Sequence, residues 1–153
     1  MKGWPTINAL LLLLFLCLPW GCEETRDRPR QEGPVRVGLL FPLSGDLSDV
    51  GGANQQGALL AIEEINAQGG VLSLGGKDLV PILGDTRGQE ETGERETRRL
   101  IVEERVVAII GAYQSSVTRR ATQVAEQHTI PFLVNMGVAD VITERGYQYT
   151  FRI

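Results

Sequence analysis

Histidine occurs once in this 153-residue chain, at His128, and cysteine twice, at Cys17 and Cys22. Each shortage closes off a kind of chemistry. The usual zinc sites need several His or Cys ligands at close spacing, and the chain has no Cys-x-x-Cys. A serine–histidine pair would have to use His128. Ser115 and His128 flank one predicted helix, about 20 Å apart along its axis at ~1.5 Å per residue, and cannot share a proton. His128 follows Val124 by four positions, which reads as a packed or helix-end histidine. No glycine-rich phosphate loop of the GxxxxGKS or GxGxxG type follows any predicted strand. No catalytic, metal or cofactor constellation is left, so an enzyme is not expected.

A basic excess is also missing. Lys2 is the only charge before Cys22, and the remainder carries 14 basic and 19 acidic residues, a net of −5. Neutralising phosphates requires clustered Lys and Arg, so a nucleic-acid partner is not expected.

What is present begins with a leader. Lys2 precedes an unbroken apolar run, Ala9 to Leu18, which Pro19-Trp20-Gly21-Cys22 ends. This is the layout of a secretory signal peptide over residues 1–21. The run covers only about 15 Å of a ~30 Å hydrocarbon core, too short for a transmembrane anchor. Gly21-Cys22 directly after it resembles a bacterial lipoprotein signal, with Cys22 as the lipidated residue. Pro19 and Trp20 depart from that pattern, which usually has an aliphatic residue three before the cysteine. A single lipid anchors a protein to a membrane rather than through it. Residues 22–34 are polar and charged with Pro29, Gly33 and Pro34, and read as a flexible tether.

From Val35 onward strands and helices alternate. Val35 to Phe41 is a predicted buried strand, and Pro42 to Gly52 a loop. Ala53 to Gln68 is a predicted helix with Ala58, Ala61, Ile62 and Ile65 on one stripe, stopped by Gly69-Gly70. Leu79 to Gly84 is a second strand, and Pro81 within it argues for an edge position. Glu90 to Arg105 is a charged helix, with Glu91–Arg95 and Glu94–Arg98 expected as i,i+4 pairs on a solvated face. Val106 to Ile110 reads as a central strand, apolar on both faces. Ser116 to Gln127 is a third helix, Ile130 to Val134 a fourth strand, and Tyr147 to Ile153 the start of a fifth.

This alternation implies a parallel α/β sheet. With the second strand at the edge, the expected order is 2-1-3-4-5. Ligands in such sheets bind outside the carboxyl ends of the strands, at the switch between strands one and three. The loops there are Pro42 to Gly52 and Gly111 to Ser116, with Asn135 to Asp140 beside them. Ser115 and Ser116 sit where a helix begins, where unpaired N–H groups favour an anion. Ser115 is expected to contact ligand and Ser116 to cap the helix. Asp85, Asp46 and Asp49 are expected as surface loop residues.

Val37-Gly38-Leu39-Leu40-Phe41-Pro42-Leu43-Ser44-Gly45, then Gly57-Ala58 and Ala61-Ile62-Glu63-Glu64-Ile65-Asn66-Ala67-Gln68-Gly69-Gly70, resembles the start of type I periplasmic binding proteins. The leucine/isoleucine/valine-binding proteins of ABC transporters are the most similar group. The resemblance continues through Ile110-Gly111, Ser115-Ser116, Thr143 to Tyr147 and Phe151-Arg152, and spans nearly all of Val35 to Ile153. It implies the N-terminal part of the first of two lobes that close on a small solute. It also implies a carboxylate contact at Ser115 and a backbone carbonyl contact to an amino group at Met136. Two positions depart from the family. Val138 stands where a threonine hydroxyl is expected, and Val50 where an aromatic is often found, with Tyr113 nearby. The ligand class stays open between amino acids, amides and aromatic acids.

The resemblance implies an exported, lipid-anchored solute-binding component that passes amino acids or analogues to an ABC permease. The alternative is the ligand-binding sensor part of a receptor or amide-responsive regulator. Family members are more than twice this length. A sheet ending at a fifth strand leaves edges and an apolar face uncovered, so poor solubility and weakened ligand binding are expected of this length alone.

Overall fold

The computed structural model describes residues 33–153. The leader, the lipidation reading of Cys22 and nearly all of the tether lie outside the described residues. Val35–Phe41 (β1) alternates its side chains, so Val37, Leu39 and Phe41 face one side and Leu40 the other. All four are buried. β1 is therefore covered on both faces, as a central parallel strand must be.

The remaining elements are α1 (Ser48–Ala67), β2 (Leu79–Asp85), α2 (Glu90–Val102), β3 (Ala108–Gly111), α3 (Ser115–Gln127), β4 (Phe132–Val134) and β5 (Thr150–Arg152). Short 3-10 turns occupy Leu72–Leu74 and Asp140–Ile142. The sheet is parallel throughout with order β2-β1-β3-β4-β5, as the sequence suggested. Pro81 does lie on the edge strand, opposite Val37.

The two faces of the sheet pack differently. On one, Leu40, Ile109, Phe132 and Val134 bury against Leu100 of α2 and Val117, Ala121 and Ala125 of α3. On the other, Val37, Leu39 and Phe41 pack against Ile62 of α1. α1 covers that second face only in part. A groove of about 530 Å³ remains beside it, lined by Phe41, Ala58, Ile62, Ile110 and Asn135 among others. Ile110 is accordingly half-buried, so β3 is not apolar-covered on both sides as expected.

Three local expectations are corrected. The first helix starts at Ser48, not Ala53, so Val50 lies on α1 rather than in a loop. Gly51 permits this early start. Any Cβ there would sit 1.9 Å from the Pro42 carbonyl oxygen, so only glycine lets the first turn lie against the chain leaving β1. The i,i+4 pairs on α2 do not form. Glu91 and Glu94 turn instead to Arg120 of α3, at 3.5 and 3.4 Å, beside the 2.7 Å pair of Arg120 with Glu90. These acids sit next to a second helix, which competes with α2's own arginines. Strands β3, β4 and β5 are also shorter than the spans expected for them. Val106, for example, is buried without belonging to a strand, and its N–H bonds to Leu100 at the end of α2.

Candidate functional site

The carboxyl ends of the strands carry the loops that sequence reasoning singled out. α3 begins one residue earlier than expected, at Ser115, with Gln114 in the capping position. No side chain caps this helix, so Ser116 is not the cap it was expected to be, and it is exposed. Gln114 is a poor mimic of Ser or Asp here because its longer side chain is committed elsewhere. Its Nε2 donates to the Gly88 carbonyl at 2.9 Å. The first intrahelical bond is from Thr118 N–H to the Gln114 carbonyl. The N–H groups ahead of it meet the positive end of the helix dipole uncapped.

Ser115 is half-buried, and its hydroxyl oxygen accepts from the Ala139 N–H at 3.3 Å. Among the described residues the hydroxyl donates to no acceptor. A proton is thus left at a helix N-terminus, the arrangement an anionic oxygen would match.

Besides Ser115, Arg145 and Glu126 hold the loop after β4 against α3, and Arg152 holds it to β5. Arg145 donates to the Arg119 carbonyl at 2.9 Å and to the Thr122 hydroxyl, and lies 4.2 Å above the Tyr147 ring. The Glu126 carboxylate accepts from the N–H groups of Gln148 and Tyr149. From β5, Arg152 donates to the carbonyls of Val138 and Ala139 at 3.1 and 3.3 Å. Met136 and Val138 stay exposed, Val138 at 80%. They border a hollow of about 310 Å³ with Asn135, Gly137 and Arg152. Tyr113 is half-buried on the loop leading into α3. Val50 is exposed on the first turn of α1. Neither this hollow nor the larger groove is lined by Ser115, Ser116, Tyr113 or Val50.

His128 caps the far end of α3, away from Ser115. Asp85 is not the simple surface residue expected. It gathers four hydrogen bonds from the loops around it. Asn135 donates to Asn54 of α1 across the sheet edge. Sequence reasoning missed Gln114, Asn54, Asn135 and the role of Arg152, because each partner lies at least 13 residues away. Arg152 and Asn135 stand in recognisable stretches, but nothing local signals what they touch.

A family model described as periplasmic binding protein matches residues 34–153. The chain belongs to the periplasmic binding proteins. This is a family of solute-binding proteins rather than enzymes. Leu/Ile/Val-binding protein homolog 8 of Brucella abortus is 41% identical over 119 residues, which cover 77% of this chain and 28% of that relative. The chain thus spans less than a third of that relative's length. The branched-chain amino acid transporter substrate binding protein LivJ of Streptococcus pneumoniae, solved with isoleucine, superposes with a TM-score of 0.73 at 30% identity. That match covers 78% of this chain and 33% of LivJ. A solute binding protein of an ABC transporter from Rhodopseudomonas palustris, solved with 3,4-dihydroxybenzoic acid, gives a TM-score of 0.70 at 27% identity, over 79% and 32% of the two chains. Isoleucine and 3,4-dihydroxybenzoic acid, the ligands in those two structures, both carry a carboxyl group.

Proposed function

We propose that this chain is the N-terminal part of the first lobe of an extracytoplasmic solute-binding component of an ABC transporter. Its ligand is a small carboxylate, an amino acid or an aromatic acid, held between two lobes and passed to a permease. The observation that carries this reading is the Ser115 hydroxyl, with its proton free at the uncapped N-terminus of α3. In this reading Ser115 holds the carboxylate, with Ser116 beside it. Met136 offers its backbone carbonyl, and Val138, Tyr113 and Val50 border the apolar part of the ligand. Residues 1–21 act as the export signal, Cys22 takes the lipid, and 22–34 tether the lobe to the membrane.

The test is calorimetric titration of the complete product of the reading frame with L-isoleucine, L-leucine, benzoate and 3,4-dihydroxybenzoate. Saturable binding of at least one supports the reading. No binding of any of the four, by a protein that melts cooperatively, counts against it.

A further inference from the structure

Asp85 ends β2, opposite Phe41 in the β1–β2 register. Its Oδ1 accepts from the N–H groups of Leu43 at 2.8 Å, Ser44 at 3.3 Å and Arg87 at 2.9 Å, and its Oδ2 from the Ser44 hydroxyl at 2.6 Å. A carboxylate has about two acceptor sites on each oxygen, so these bonds fill Oδ1 and commit Asp85 mainly to the loops around it. Among the described residues no other side chain bonds to the backbone of Leu43 or Ser44.

We infer that Asp85 is a positioning residue for the ligand crevice, holding the Leu43–Ser44 turn and the start of α1 in place at the carboxyl edge of the sheet. The inference rests on the ligand-binding reading above. The turn leads straight into α1, through the bond from Ser48 N–H to the Gly45 carbonyl. The same Oδ1 also holds the Arg87 turn, whose Gly88 carbonyl accepts from Gln114. Gln114 directly precedes Ser115. One carboxylate therefore sets the first crevice loop and, through Gln114, the start of α3 in a common frame. Ionisation suits the role, because only the carboxylate accepts on both oxygens. Burial alone would raise this carboxyl, but the donors of Ser44, Arg87 and Leu43 outweigh it and hold it below its ordinary value.

The experiment compares wild type, Asp85→Ala and Asp85→Asn in the complete product of the reading frame. Hydrogen exchange by mass spectrometry is read on peptides covering 42–47 and on peptides covering β3. L-isoleucine and benzoate serve as probes. Thr97→Val is the control, since it removes a buried bond to the Gly93 carbonyl in α2, outside the crevice loops. Asp85→Ala should speed exchange at 42–47 and leave β3 unchanged. It should also weaken the probe that wild type binds by roughly tenfold, because part of the binding free energy must then re-order the released loop. Asp85→Asn, which keeps one carbonyl acceptor, should fall between, and it carries the comparison should Asp85→Ala fail to fold. Thr97→Val should lower the melting point without weakening the probe. Unchanged exchange at 42–47 overturns the inference, and so does a released loop with unchanged affinity. A wild type that binds none of the four ligands titrated above sinks the ligand reading instead, and exchange at 42–47 then decides the positioning role alone.

Discussion

Asn135, at the end of β4, donates its side-chain amide to the Asn54 side chain on α1 at 2.7 Å, across 81 residues of sequence. The Asn135 side-chain oxygen is buried and, among the described residues, has no partner of its own. The two changes that break this bond should therefore be unequal. Asn54→Ala leaves both ends of the Asn135 amide unpaired, whereas Asn135→Leu removes the orphan acceptor with its donor. Urea denaturation should find Asn54→Ala the more destabilising by about 1 kcal/mol.

Ser115→Ala should weaken the bound carboxylate by about tenfold or more, the cost of one hydrogen bond to a charged group. The melting point should barely move, because among the described residues the hydroxyl's one hydrogen bond is the long one from Ala139. Ser116→Ala should have the smaller effect. Equal affinity of wild type and Ser115→Ala in calorimetry would remove Ser115 from the site.

Val138→Thr restores the hydroxyl that the family resemblance places there, at a position 80% exposed, so folding should be unaffected. If an ammonium group lies against this loop, isoleucine should gain relative to benzoate by about fivefold, worth ~1 kcal/mol. Parallel titrations with the two ligands read the ratio directly.

Stability should depend on Asp85 in a defined pH window. Its native carboxyl lies below the ordinary 3.8, so it stabilises the fold above that value and stops doing so as pH falls through the lower native one. Thermal midpoints measured from neutral pH downward should fall more steeply for wild type than for Asp85→Asn. The two curves should converge below about pH 4. Parallel curves would mean that the four donors contribute little.

Gly111 closes β3 at the crevice with φ +152°, and a Cβ there would lie 2.1 Å from the Leu40 carbonyl oxygen. Gly111→Ala must move the centre of the sheet or the strand end that leads to Tyr113. A loss of about 3 kcal/mol or more is expected, seen as a lowered urea midpoint.

Most of the strand and helix identities were legible because hydrophobic period is a local property. Val37, Leu39 and Phe41 alternate, and Ala58, Ala61, Ile62 and Ile65 fall on a helical stripe. Pro81 alone was enough to place β2 at the edge. The start of α1 was not legible, since glycines at 51 and 52 read as a loop until the Pro42 carbonyl is seen against Gly51. The ion pairs of α2 misled for a similar reason. Spacing within one helix says nothing about an arginine arriving from another.

The sequence alone determined the alternating α/β pattern, the sheet order, the family and the place of Ser115 at a helix start. All of these depend on residues close together in the chain, or on a pattern repeated along it. Tertiary structure decided how the crevice is held. Asp85 reaches back 42 residues to Leu43, Gln114 reaches 26 to Gly88, and Asn135 reaches 81 to Asn54. A hydrogen bond depends on where folding brings a donor and an acceptor. Nothing in the local pattern around either residue encodes that meeting.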